Sequence, residues 1–163
     1  MNDRPAVIVR IEDAEGAYGW GEIWCNFPNC GAEHRARLVD AVLAPQLLGR
    51  EAASPDRIFD ALERSFRILA LQTGEPGPIA QALAGVDIAL WDLAARRAGV
   101  SVRKLLNREA GDTITAYASG IHPASLDEMV HAMRACGYRS YKLKVGFGLE
   151  NDKAAVRRLR DML

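Results

Sequence analysis

Two lysines, Lys142 and Lys144, stand two residues apart in Tyr141-Lys142-Leu143-Lys144-Val145-Gly146-Phe147, a segment whose composition predicts a β-strand from Ser140 to Val145. Residues i and i+2 of a strand project from the same face. Two ammonium groups roughly 7 Å apart repel by about 2 kcal/mol at an effective dielectric of about 20. Each then parts with its proton more readily, and burial adds to the effect. That is the chemistry of a general base. Taken alone, the alternation also describes a half-exposed strand with solvated charges.

The elements that would position this pair can be read along the chain. Val7 to Ile11 and Tyr18 to Ile23 flank the turn Ala14-Glu15-Gly16-Ala17 and predict a hairpin, which needs a helical layer or a further strand to be stable. Leu38, Val39, Val42, Leu43 and Leu47 recur at helical spacing within 32–48, with Pro45 disturbing the last turns and Gly49 ending the helix. Ser54, Pro55 and Asp56 then open a helix striped by Ile58, Phe59, Leu62, Phe66 and Leu69. Gly74 to Pro78 breaks the chain. A third helix follows from Ile79 to Ala98, apolar almost all round at first and therefore buried, with Asp87 and Asp92 either hydrogen-bonded structural carboxylates or partly exposed ones and Gly99 as its cap. After a turn from Asn107 to Asp112 the pattern changes to strand (Ile114 to Ser119), helix (Ser125 to Cys136), strand (Ser140 to Val145) and helix (from Glu150). Two regions result, an α+β part over 1–110 and the start of a parallel α/β part over 111–163.

Composition narrows the function classes. At 163 residues, 49% of them hydrophobic, the chain can bury a substantial core. Twenty-one basic residues balance twenty-one acidic ones, so there is no broad positive field to draw nucleic acid or an anionic membrane. The opening Met1 to Pro5 has no apolar core of signal-peptide length, and charges interrupt the later apolar stretches. The expectation is a cytoplasmic protein with neither a nucleic-acid nor a membrane partner. Cys25, Cys30 and Cys136 form neither an even disulfide framework nor a metal-binding spacing. Free thiols are expected, with a Cys25–Cys30 bridge as the alternative that a reducing compartment disfavours.

Four motifs now stand in order: Gly19-Trp20-Gly21-Glu22, Gly85 to Leu93 (GVDIALWDL), Ala116-Tyr117-Ala118-Ser119-Gly120 and Lys142-Leu143-Lys144-Val145-Gly146. Together they resemble the enolase superfamily, in its mandelate racemase and muconate lactonizing enzyme branch. The resemblance implies an α+β capping domain (1–110) followed by the first two βα units (111–163) of a modified TIM-type barrel, which would be incomplete. It implies abstraction of the α-proton of a small-molecule carboxylate to give an enediolate, with Mg2+ holding the developing charge. Lys144 resembles the family's base, and Lys142 the companion cation that also holds the substrate carboxylate. Both fall at the carboxyl end of a barrel strand, where such folds keep their reactive groups. Ser119 and His122 would line the same mouth, although a turn serine and a solvated loop histidine fit the residues equally well. The loop Trp24 to Cys30 matches the family's substrate-selecting loop. Its Trp24 and Phe27 would form an apolar wall and Asn26 and Asn29 would supply hydrogen bonds; a plain polar connector is the alternative.

The chain also departs from the family's pattern. The family's three acidic metal ligands lie on later barrel strands, so no metal ligand is expected among these residues, and two strands cannot close a barrel. Glu150 and Asp152 read as helix-dipole partners rather than substitutes. The amino end lacks the family's first strand. The expectation is therefore a fragment of a racemase, cycloisomerase or acid-sugar dehydratase, inactive alone. A non-catalytic remnant acting as an oligomerisation or interaction module is the reading of another class, since the apolar helices could bury against another subunit and form a homo-oligomer. Redox chemistry at Cys25 and Cys30 has little support from their spacing.

Overall fold

A computed structural model describes residues 4–28, 30–51 and 54–163. The chain divides into two compact units, Met1–Ala110 and Gly111–Leu163.

In the first unit, β1 (Val7–Glu12) pairs antiparallel with β2 (Tyr18–Ile23), Val7 opposite Ile23 and Glu12 opposite Tyr18. The Asp13 carboxylate accepts the backbone N–H groups of Glu15 and Ala17, both at 2.9 Å, and Gly16 takes the positive φ that closes the turn. The sheet lies on α4 (Pro76–Ala98), whose Ala82, Leu83, Val86, Ala89 and Leu90 are buried with Val9 and Ile23. The Gly-Trp-Gly motif now has a steric reason. A Cβ on Gly21 would stand 1.9 Å from the Gly85 carbonyl oxygen, and one on Gly19 would stand 2.1 Å from that of Ala89. Helix α4 alone among the described helices is long and apolar enough to span a bilayer, so the sequence argument against any such stretch is corrected. Half of it is buried, packed against β1, β2 and the preceding helix (Pro55–Thr73), as in a core helix.

The helix expected over 32–48 is three pieces: α1 (Gly31–Leu38), a π-helical turn (Val39–Leu43) and α2 (Ala44–Leu47). Pro45 explains the interruption, because its ring cannot donate a backbone hydrogen bond and crowds the preceding turn, and a widened turn relieves both. Helix α3 (Pro55–Thr73) begins at Pro55 and buries Leu62 and Phe66, while Gly74 ends it in the left-handed conformation. The break expected from Gly74 to Pro78 is shorter than that, since α4 already starts at Pro76. A short helix, α5 (Val102–Leu106), stands where only a connection was expected, and the Ser101 hydroxyl oxygen accepts from the Lys104 N–H at its start.

In the second unit, β3 (Ala118–Ile121) and β4 (Tyr141–Leu143) are parallel, joined through a 3₁₀ turn (Pro123–Ser125) and α6 (Leu126–Ala135), and α7 (Leu149–Asp161) follows. Both strands are shorter than expected, and the first is displaced. Ala118 pairs with Tyr141, and its N–H donates to the Ser140 oxygen at 2.8 Å. Pairing with β4 begins only at Ala118, and Ile114, expected in the strand, is 92% exposed. One face of the pair carries a small core of Ala118, Ile121, Leu126, Val130 and Ala155, flanked by Tyr141 and Leu143.

Candidate active site

The residues that could carry chemistry in the second unit lie within its two strands or just past their carboxyl ends. Lys142 lies within β4, and Lys144 follows the strand's last residue rather than lying inside it. The expected alternation still holds, because Tyr141 and Leu143 turn towards the core while Lys142 and Lys144 are exposed. The Lys144 N–H donates to the Ile121 oxygen at 2.8 Å, so its backbone remains tied to the neighbouring strand. Lys142 Nζ sits 5.8 Å from the centre of the Tyr117 ring, within the range of a cation–π attraction. Ser119 is exposed on β3, and His122 follows Ile121 at that strand's end. Lys144 and His122 thus follow the ends of two paired parallel strands, while Lys142 and Ser119 lie within them.

His122 is oriented by two contacts. Its Nδ1 accepts the Ala124 N–H at 3.2 Å, so the neutral ring keeps its proton on Nε2. The Phe147 ring meets it edge to face with centres 4.8 Å apart. The loop carrying Phe147 is held in turn by Asp152, which accepts the Gly146 N–H at 2.9 Å and the Phe147 N–H at 3.1 Å. Asn151 Nδ2 donates to the Phe147 oxygen at 2.9 Å. The reading of Asp152 as a dipole partner alone is therefore corrected, since its carboxylate reaches back to the loop. Phe147 and Asp152 were missed as site residues. The signal for them was the Gly146-Phe147-Gly148 triplet, whose two glycines take φ of 108° and 99° and reverse the chain there.

Within the first unit, Trp24 and Phe27 are exposed, with ring centres 6.2 Å apart. With its amide oriented so that the oxygen faces donors, Asn26 accepts from Trp24 Nε1 at 3.1 Å and from Arg4 at 3.3 Å. Its oxygen is thus already used inside the loop. Asn29 lies outside the described residues. Cys25 is buried, its Sγ donating to the Pro5 oxygen at 3.3 Å, Cys30 is exposed, and both are free thiols. Beyond the loop, Arg35 is 6% exposed. Its Nε and Nη2 donate to Gln81 Oε1 at 3.0 and 2.8 Å, and Nη1 donates to the Gly31 oxygen at 3.2 Å. This buried guanidinium ties the start of α1 to α4.

The two signature aspartates serve the fold. Asp92 accepts the Trp20 N–H at 2.9 Å and Arg96 Nε at 2.9 Å, and the Trp20 amide, ahead of Arg96, holds its carboxyl below the usual range against a smaller effect of burial. Burial pushes the Asp87 carboxyl up, opposed by a hydrogen bond from Trp91.

A metal would need several acidic or imidazole ligands converging on one point. No group of three His, Cys, Asp or Glu residues among the described residues could hold one. The Glu150 carboxylate is paired with Lys153 at 2.9 Å, and that of Asp152 is taken by backbone amides. These residues do not fit a magnesium site.

An α+β unit is thus followed by two parallel βα units, with Lys144 just past the second strand. Residues 1–107 match the model of the mandelate racemase / muconate lactonizing enzyme N-terminal domain, and the chain belongs to that family within the enolase superfamily. Its first unit is the family's capping domain and its second the start of an incomplete barrel. The chain is 32% identical to D-galactarolactone cycloisomerase of Agrobacterium fabrum over 98% of its own length and 42% of that protein's. A mandelate racemase/muconate lactonizing enzyme structure from Bordetella bronchiseptica superposes with a TM-score of 0.92 at 56% identity, covering 98% of this chain and 44% of that one. A racemase from Streptomyces coelicolor, solved with bound magnesium, superposes with a TM-score of 0.82 at 33% identity, covering 96% of this chain and 46% of that one. The chain spans less than half the length of these relatives.

Proposed function

We propose that this chain supplies the cap and the base-bearing strand of an enzyme that removes the α-proton of a small-molecule carboxylate. Lys144 is the base. Lys142 is the neighbouring cation that holds the substrate carboxylate, while Ser119 and His122 line the same end of the sheet. Trp24, Asn26 and Phe27 contact substrate from the cap loop; the Asn26 oxygen is occupied within the loop, which leaves the two rings as the principal contacts. What supports this reading is that Lys144 directly follows β4 and His122 directly follows β3, the two strands being parallel and the Lys144 N–H bonded to Ile121.

A proton next to a carboxylate is too weakly acidic for an amine unless the charge that develops is stabilised in a preorganised site. In the Streptomyces coelicolor racemase structure magnesium is bound; no group of three acidic, histidine or cysteine residues among the described residues could hold the ion, so in this reading its ligands belong to other barrel strands. A small sugar-derived substrate agrees with the relative named D-galactarolactone cycloisomerase, and a cytoplasmic location would suit such metabolism. The test is exchange of the substrate's α-hydrogen with solvent deuterium in the complete enzyme containing this chain. Lys144→Ala is expected to lower exchange at least 100-fold, the usual scale for loss of a general base; unchanged exchange removes the assignment.

A second reading, an interaction module that forms a homo-oligomer through the cap, is favoured by the exposed Ile8, Trp20, Trp24 and Phe27 of the first unit. Gel filtration combined with a calorimetric magnesium titration separates the two. A stable oligomer indifferent to magnesium supports the module, and magnesium-dependent turnover supports the enzyme.

A further inference from the structure

Lys144 and His122 share a feature that the chemistry does not by itself require: both adjoin one short loop, and a single carboxylate fixes that loop. Gly146 lies two residues beyond Lys144, Phe147 carries the ring against His122, and the N–H groups of both converge on Asp152, one on each carboxylate oxygen. We propose that Asp152 is a positioning residue of the active site, setting the backbone that carries Lys144 and, through Phe147, the plane of the His122 ring. This deepens the proposed function and rests on it for the importance of Lys144.

The argument is one of conformational freedom. Gly146 and Gly148 both sit at positive φ, with no side chain to restrict either. A segment with two such glycines samples many conformations unless something outside it selects one. Backbone pairing of this stretch ends at the Lys144 N–H, which donates to Ile121. Beyond that bond the loop is hydrogen-bonded by α7, where Asp152 and Asn151 receive and donate on opposite sides of Phe147. Asp152 is anchored for this task, because its own N–H donates to the Gly148 oxygen at 2.9 Å as part of the first helical turn. A charged acceptor makes each of these bonds stronger than a neutral one would. A reactive group displaced by about 1 Å can lose about 100-fold in rate, so the loop's single conformation matters to a lysine two residues away.

The experiment uses the full chain and needs no turnover. Amide hydrogen exchange and the ring resonances of His122 are followed by NMR in the parent chain, Asp152→Asn and Asp152→Ala. In Asp152→Ala, exchange at Gly146 and Phe147 is expected to accelerate at least 10-fold. The His122 ring protons should lose the shift imposed by Phe147, while the amides of Leu126 and Val130 in the buried core keep their protection. Asp152→Asn retains one acceptor oxygen and should release one of the two amides. Unchanged Gly146 and Phe147 amides overturn the proposal. So does a uniform loss of protection across the unit, which would make Asp152 a stability residue only. Because the base assignment is tested separately by α-hydrogen exchange, its failure alongside a loosened loop would remove Lys144 as base and leave Asp152 as the residue that orients His122.

Discussion

Replacing Gly21 by alanine adds one methyl group where strand and helix meet backbone to backbone. The new Cβ would lie 1.9 Å from the Gly85 carbonyl oxygen and 2.9 Å from the Ala89 nitrogen, whereas ordinary contact begins at 3.4 Å. Neither partner is a flexible side-chain tip, so β2 must retreat by about 1.5 Å from α4. Overpacking of a well-packed core costs about 1–3 kcal/mol, and a shift of that size also forfeits much of the dispersion energy between the two elements. Gly21→Ala is therefore expected at the top of the range, about 3 kcal/mol or more. Gly16→Ala in the same hairpin is the control. Nothing lies within 4 Å of its Cβ, and only the φ of 86° opposes it, at a cost of about 1 kcal/mol. The three tryptophans, Trp20, Trp24 and Trp91, all lie in the first unit, so urea or thermal unfolding followed by tryptophan emission reports that unit alone. At about 4 °C per kcal/mol, the melting midpoint should fall by about 12 °C for Gly21→Ala and about 4 °C for Gly16→Ala. Equal losses for the two variants would refute the close-approach argument.

Other outcomes follow from the polar contacts. Arg35→Ala removes three hydrogen bonds from a buried guanidinium and should destabilise the first unit by about 3 kcal/mol. Arg35→Lys should not restore it, because one ammonium cannot bridge Gln81 and Gly31 as the planar fork does; restoration in chemical denaturation would contradict this. Burial raises the Asp87 carboxyl, so the folded state holds that proton more tightly than the unfolded one. Its effect is a destabilisation that sets in as pH rises from the unfolded value through the folded one. Asp87→Asn should accordingly stabilise the protein at pH 7 and have little effect at pH 3, as measured by denaturation at the two pH values. Asp92 has the opposite sign, being held low chiefly by the Trp20 amide. Its contribution is complete above the ordinary carboxylate range and is lost as pH falls through the depressed value, so Asp92→Asn should flatten the acid limb of the stability profile.

Elements defined by strong local signals were legible in the sequence. Ser54-Pro55-Asp56 started α3 at Pro55, and Gly99 capped α4. Lengths set by a partner were not. Whether 114–117 joins a strand depends on what lies opposite, and pairing with β4 begins only at Ala118. The division of 32–48 into two α-helical pieces around a π-turn reflects how the chain absorbs Pro45, which the apolar spacing does not encode. At the candidate site the lysine pair could be read because strand alternation is local, whereas the hold of Asp152 on Gly146 and Phe147 needs a chain reversal at two glycines. Asp87 and Asp92 show the limit from the other side. Their helix positions were clear, but the tie from Asp92 to Trp20 spans 72 residues and emerges only when hairpin and helix pack.

The most direct test of Lys144 as base is its replacement by arginine in the complete enzyme, scored by exchange of the substrate's α-hydrogen with solvent deuterium. Arginine keeps the positive charge but cannot give up its proton in a protein. Exchange is expected to fall at least 100-fold in Lys144→Arg, while Lys142→Arg, which keeps the neighbouring cation, retains measurable exchange. Exchange at the parent rate in Lys144→Arg would contradict the account.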